Sequence, residues 1–298
     1  MVIGIIGANG KIGIGLTKFL QDFTLHNIVP ISRSCANHRE TNGRICDLRN
    51  PHQISKALEG IDSVINLSGR TTGTNFDDFY IDNYICSINL YNACLKKNVK
   101  HLIQVSSVLS LLQPETFYGK TKALSDRFLL SQSPQKMCIT ILRSSWVVTS
   151  APNSIMSKFI RLIKILPILL VPHTGRFQPI FERVFFHIVN DCVDKTLMKT
   201  NKKIIYCVGS ESLNIKEFLK KLSLTMNKSR IFLEFPMGFL INLANVLSVF
   251  FPNLEIDVDK FKIQKYDRIY KEQCPEVKKY SKSIKDEMQE FVDNMKNL

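Results

Sequence analysis

The sequence predicts an α/β protein: a doubly wound parallel sheet with a smaller, discontinuous C-terminal lobe. Three observations carry that prediction. Short β-branched runs alternate with longer amphipathic ones up to about residue 150, the rhythm of strand–helix–strand units. The first run, Val2–Ile6, feeds directly into the glycine-rich turn GANGKIG. Beyond about residue 150 the alternation breaks and apolar runs become irregular.

Taken in order, Val2–Ile6 reads as a strand and Ile12–Phe23 as a helix. Ile28–Ser32 is a strand, Arg44–Asp47 a short strand, and His52–Leu58 a helix. Ser63–Leu67 is a strand, Asp77–Lys97 a long helix, and His101–Ser106 a strand. Tyr118–Ser131 is a helix and Cys138–Arg143 a strand. Right-handed crossovers then wind helices onto both faces. In the second half, Ser157–Leu169, Ile215–Thr225 and Phe239–Phe250 read as helices. Phe185–Val189 and Ile204–Val208 read as returning strands, and the tail from Asp257 is polar and lysine-rich.

A chain of 298 residues with 45% hydrophobic content can bury a large core. The net charge of +14 is spread over both halves: 16 Lys/Arg against 10 Asp/Glu before residue 150, and 24 against 16 after it. A nucleic-acid binder would gather its basic residues with aromatics on one face. A dispersed excess reads as a solvated basic surface, with attraction to anionic substrates such as phosphates, or to an anionic membrane face, as its functional alternative. The eight cysteines form no CxxC pair and several sit in apolar runs. They are expected to be reduced, with no metal site, in a cytoplasmic protein. Met1 leads straight into the first strand, with no basic segment or small-residue cleavage site, so no secretory leader is expected. The apolar runs Ile163–Val171 and Met237–Phe251 fall short of the roughly 18 residues a spanning helix needs. They are expected to form lobe helices lining a cleft.

Gly7, Gly10 and Gly13 have the spacing GxxGxxG between a strand and a helix, the context in which such a turn holds a dinucleotide. Gly7 allows the tight turn, Gly10 a close backbone approach to pyrophosphate, and Gly13 tight helix–strand packing. The helix N-terminus attracts the phosphates. A Walker loop is excluded, because Ile5 stands where its first glycine belongs and Ile12 where its Ser/Thr belongs. The second strand ends Pro30-Ile31-Ser32-Arg33-Ser34 without an acid for a ribose 2′-hydroxyl. Arg33 can pair with a 2′-phosphate, which favours NADP over NAD. Asp47 is placed to meet the adenine amino group.

Tyr118 and Lys122 stand at i and i+4 on one helix face. An ammonium beside a phenol lowers its pKa toward the working range of an acid–base catalyst. Ser106-Ser107 end the preceding strand, where a hydroxyl can bond a substrate carbonyl or alcohol.

These residues together resemble the short-chain dehydrogenase/reductase superfamily in its extended epimerase/dehydratase branch, whose sheet is of the Rossmann type. The resemblance runs through most of the chain. It includes the three glycines, CDLRNPHQISKALEGIDSVINLSG (46–69), Asn83, Ser107, Tyr118, Lys122, LRSSWV (142–147) and RVFFHIVNDCV (183–193). It implies residues 1–150 as the cofactor-binding domain, with returning elements near 183–208, and 151–298 mainly as a substrate lobe. Tyr118 would be the acid/base, Lys122 its pKa-lowering and ribose-binding partner, and Ser107 the orienting hydroxyl. The cofactor would touch Gly7, Asn9, Gly10, Lys11, Ile12, Gly13, Arg33, Asp47, Leu48, Leu67, Ser68 and Gly69, besides Tyr118 and Lys122. Substrate would meet Asn83, Ser107 and Arg183. Arg183 matches an arginine that often binds a nucleotide-sugar diphosphate, and its alternative is a structural ion pair.

The implied function is 4-keto reduction or 4-epimerisation of a nucleotide-activated sugar in polysaccharide biosynthesis, in a protein that can dimerise. The alternative is a non-catalytic assembly or regulatory protein that binds a dinucleotide. The chain departs from the family at Asn190, where Asp is usual, and at Val148-Thr149-Ser150, where Tyr-Gly-Pro often stands. Its Ser107-to-Tyr118 interval is also short. These departures imply a pocket unlike that of a standard galactose epimerase.

Overall fold

The architecture follows from where continuous apolar strands can be covered. It is taken from a computed structural model that describes residues 1–34, 42–112, 115–133, 137–194, 202–239, 241–242, 263–271 and 274–296. β1 (Val2–Ile6), β2 (Asn27–Ser32), β3 (Arg44–Ile45), β4 (Ser63–Asn66), β5 (His101–Ser107), β6 (Cys138–Ser144) and β10 (Lys202–Cys207) form one sheet. Its order is β10-β6-β5-β4-β1-β2-β3, and every pairing is parallel. That order reverses direction between β1 and β4, the switch point at which open α/β sheets bind ligands.

Helices cover both faces. α1 (Lys11–Phe23) and α8 (Glu182–Asp194) share one apolar core with the sheet, including Leu16, Leu20, Phe185 and Val189. α2 (Pro51–Ala57), α4 (Cys86–Lys96) and α6 (Phe117–Ser131) enclose the other, around Ile54, Leu90 and Leu129. α2 starts where Asn50 accepts bonds from the amides of His52 and Gln53, with Pro51 in the first turn.

The long helix expected over Asp77–Lys97 is α3 (Phe76–Phe79), a π-helical stretch (Tyr80–Ile85) and α4 in succession. A short α5 (Leu109–Leu112) lies between β5 and α6.

A third apolar cluster lies outside the sheet, around Met156, Phe177, Phe218, Leu222 and Met288. It joins β7 (Val147–Val148), α7 (Ile155–Ile165), β8 (Ile168–Pro172), β9 (Ile180–Phe181), α9 (Ile215–Thr225), β11 (Ile231–Phe235) and the final helix α11 (Ile284–Lys296), whereas α10 (Pro275–Tyr280) packs through Val277 on the first core. β7 pairs with β9, and β8 with β11.

Two expectations are corrected here. Phe185–Val189 is helical, not a strand. Val184, Phe185, Ile188, Val189, Cys192 and Val193 are all buried, a 3.6-residue repeat that outweighs the strand propensity of VFFHIV. Of the elements expected to return near 183–208, β10 alone joins the sheet. The helix expected over Ser157–Leu169 ends at Ile165, because Pro167 cannot continue it. Ile168–Pro172 is then a strand. The helix expected over Phe239–Phe250 falls mostly outside the described residues, as does Cys35.

Candidate active site

The glycine turn leaves β1 with Gly7 at φ +82. A Cβ at Gly13 would stand 2.3 Å from the Gly7 carbonyl oxygen and 2.8 Å from Ala8. Only glycine at position 13 lets α1 pack this close to the turn. Gly10 caps α1 with no side-chain hydrogen bond, and the first turn holds no acid. The first amides of α1 therefore have no anionic side chain of their own to meet. Asn9 donates from Nδ2 to the Ser34 carbonyl at 2.7 Å, tying the turn to the end of β2. Its Oδ1 is buried without a partner among the described residues. Arg33 is exposed on that same tip. Lys11 and Ile12 open α1, and the Lys11 carbonyl accepts from Thr149 at 3.1 Å.

Across the switch point, Leu67 donates its amide to the Ile6 carbonyl at 2.9 Å. Ser68 is held by Asn66 Oδ1 through its amide and its hydroxyl. A Cβ on Gly69 would meet Asn83 Oδ1 at 2.7 Å and Lys122 Nζ at 3.1 Å. Asp47 accepts from the Arg49 amide at 2.9 Å beside buried Leu48. The glycine cradle, the uncapped helix start and the orphaned Asn9 oxygen fit a dinucleotide.

The second group of residues is built on β5 and α6. Thr116 accepts from the Gly119 amide at 3.1 Å and so starts α6 at Phe117. Tyr118, Lys122 and Asp126 then follow at one-turn intervals on one face. Tyr118 is hydrogen-bonded with Ser107, at the carboxyl end of β5. Lys122 is buried, donates to the Val105 carbonyl at 3.2 Å and lies 6.0 Å from the Tyr118 ring centre. Ser106, the other serine of the pair, is buried with its hydroxyl unpartnered among the described residues.

The electrostatics differ from the expectation of a lowered phenol pKa. Burial pushes Tyr118 up to about 12; the Ser107 hydrogen bond lowers it and the Asp126 charge raises it. Burial pulls Lys122 down to about 8, against the raising charge of Asp126. Desolvation disfavours whichever form is charged, so the phenol rises, the ammonium falls, and two values that are close in solution move apart.

Asn83 and Arg183 reach chiefly into the protein itself. Asn83 Nδ2 donates to the Arg70 carbonyl and Thr121 Oγ1, and its Oδ1 accepts the Arg70 amide at 2.7 Å. Arg183 pairs with Glu290 at 2.9 Å and donates to the Tyr280 carbonyl at 3.4 Å.

Three groups near the site are not apparent from sequence reading. Asp126 accepts from Arg143 at 2.8 Å and from Ser110 at 3.2 Å, and Arg143 also donates to Tyr206. The Asp126–Arg143 pair is almost wholly buried. Arg268 stacks on Phe177 at 5.3 Å, with its buried Nε unpartnered among the described residues. Burial brings its pKa down to about 10, against the raising charge of Asp267. Phe177 packs on Trp146, just past the carboxyl end of β6. The i+8 spacing of Tyr118 and Asp126 is a signal available in the sequence. No spacing links Arg268 to Phe177.

The sheet order, the glycine cradle at the switch point and the tyrosine–lysine helix define the class: a Rossmann-type protein of the nicotinamide-dinucleotide kind. The family model "NAD dependent epimerase/dehydratase family" matches residues 3–176, and the chain belongs to that family. Among curated proteins it is similar to the uronate dehydrogenases of Pseudomonas syringae and Pseudomonas putida. Their identities are 22% and 25% over 138 residues, covering 40% of this chain and 50% and 51% of theirs. The chain thus matches about half the length of those relatives.

Among solved structures, it is similar to a dTDP-4-dehydrorhamnose reductase from Clostridium acetobutylicum. The TM-score is 0.74 at 18% identity, covering 99% of this chain and 100% of that one. The Bacillus anthracis dTDP-4-dehydrorhamnose reductase in complex with NADP gives 0.73 at 17%, covering 98% and 99%. MoeE5 in complex with UDP-glucuronic acid and NAD gives 0.68 at 16%, covering 79% and 86%. At these identities the likeness is one of fold.

Proposed function

We propose that this protein reduces a 4-keto group on a nucleotide-activated sugar, using NADPH, in the cytoplasm. The observation that carries the reading is the hydrogen-bonded Ser107–Tyr118 pair at the carboxyl end of β5, with Lys122 one turn away. Gly7, Gly10 and Gly13 would cradle the dinucleotide, whose chemistry when bound would be to provide the hydride for such a reduction. Ser107 orients the carbonyl oxygen and Tyr118 gives that oxygen its proton, so that C=O becomes CH–OH. A phenol whose pKa is pushed up to about 12 is protonated near neutral pH, which suits proton donation better than abstraction. Arg33 favours reduction over epimerisation, because a reductase exchanges NADPH at each turnover whereas an epimerase keeps its cofactor. Lys122 would hold the ribose, and it places an amino group beside the phenol.

NADP is favoured because the tip Ser32–Ser34 carries Arg33 and no carboxylate. For the substrate diphosphate, Arg268 is better placed than Arg183. Its Nε has no described partner, whereas Arg183 already pairs with Glu290. Two of the similar structures are reductases of a dTDP-4-keto sugar, and one holds a UDP-sugar acid.

The test is turnover of UDP- and dTDP-4-keto sugars with NADPH and with NADH, followed by nicotinamide absorbance and by mass spectrometry of the sugar. A reduced sugar formed preferentially with NADPH supports the reading. No product with any sugar overturns it in favour of a non-catalytic dinucleotide-binding assembly or regulatory protein.

A further inference from the structure

We propose that the outer face of the β8–β11 ribbon, with α7 beside it, docks on a membrane surface bearing anionic lipids. The parallel register sets Ile168 beside Ile231, Leu170 beside Leu233, and Pro172 beside Phe235. Strand alternation sends all six to one side, and none carries a polar side chain. Ile168, Leu170, Ile231 and Leu233 are 48%, 72%, 58% and 49% exposed, whereas Leu169, Val171 and Phe232 on the other side are buried. The apolar exposure runs on into Ile165, at 65%. A contiguous exposed face of this kind marks a contact surface, not the scattered apolar residues of an ordinary exterior.

Charge selects the occupant. No Asp or Glu occurs between Asp126 and Glu182, a stretch that includes all of α7 and β8. α7 exposes Lys158, Arg161 and Lys164 at three-residue intervals, and Lys228 is exposed just before β11. Arg230 donates to the Ile163 and Lys164 carbonyls at 2.8 and 3.4 Å, which holds the end of α7 against the ribbon. The one acid of the ribbon, Glu234, lies on the buried-side register and is paired with Lys216 and His173. An apolar face rimmed by cations matches a bilayer, with hydrocarbon at depth and negative headgroups above. The contact is interfacial: no helix among the described residues is long and apolar enough to cross a membrane.

The test is co-sedimentation of the whole chain with vesicles of phosphatidylcholine alone and of phosphatidylcholine mixed equally with phosphatidylglycerol. The protein is expected to pellet with the mixed vesicles and remain in solution with the neutral ones. Leu170→Thr with Leu233→Thr should weaken binding by about tenfold or more. Arg161→Ser with Lys164→Ser should weaken it by about fivefold for each charge removed. Unchanged melting temperatures would show that both variants fold. Wild-type protein left in solution with the mixed vesicles overturns the proposal, as does equal binding by wild type and variants. A wild-type dimer that the Leu170/Leu233 variant dissolves, without vesicle binding, would assign the face to a second copy.

Discussion

β5 and β8 are both short and parallel-paired, yet they end in opposite surroundings. β5 is buried at all seven positions, between neighbours on both edges and helices on both faces. β8 has one neighbour, and its residues alternate between buried and exposed. A half-exposed strand ordinarily alternates apolar with polar residues; ILLVP does not. The central strand is buried at every position, its polar residues included, because the fold consumes both its faces. The outer strand is apolar on a face left exposed among the described residues. Its outward residues are therefore attributed to contact with something else.

That comparison can be broken by stability measurements on the two regions. The largest effect is expected in the sheet core. Phe185→Ala, at a fully buried ring between α8 and the sheet, should lower unfolding free energy by about 3–5 kcal/mol in urea titration. Asp126→Asn should come next, at about 3 kcal/mol, because it leaves the Arg143 guanidinium buried without its carboxylate. In any residual activity, the same change should lower the Lys122 pKa further, since Asp126 raises it. That would move the high-pH limb of the rate profile to lower pH.

Glu287 on α11 offers a smaller, pH-dependent effect. Burial pushes its pKa up to about 7, against the lowering bond from the Lys282 amide and the charge of Arg183. The folded chain thus favours the protonated acid. That contribution is present below the ordinary carboxylate range and lost as pH rises through about 7. Glu287→Gln should raise stability on the order of 1 kcal/mol at pH 8, after solvent screening, and change little at pH 4. The smallest effect is expected on the ribbon. Leu170→Thr should stay within about 0.5 kcal/mol of wild type, and a loss as large as that of Phe185→Ala would show that the face is packed.

Much of the sheet was legible in the sequence, because its strands and helices follow local periodicity closely. Val2–Ile6 matches its strand to the residue, and Ile215–Thr225 outside the sheet matches its helix equally well. The stretch between residues 150 and 200 was less legible. VFFHIV has strand formers in a helical pattern, and burial against α1 and the sheet decides between them. Pro167 marked a boundary inside an apolar run whose second half is a strand. At the candidate site, Tyr118 and Lys122 could be read from spacing, and Ser107 was singled out from the Ser106-Ser107 pair by the family resemblance. The direction of their pKa shifts could not, because desolvation depends on what covers the residues. Arg268 meets Phe177, and Phe177 meets Trp146, only through tertiary folding.

The account stands on Tyr118 as the proton donor. The most direct measurement compares wild type and Tyr118→Phe for turnover of a 4-keto nucleotide sugar, with NADPH binding measured separately by fluorescence. The account predicts turnover lost by about a thousandfold or more, with the dinucleotide bound as before. Full turnover in Tyr118→Phe would contradict it.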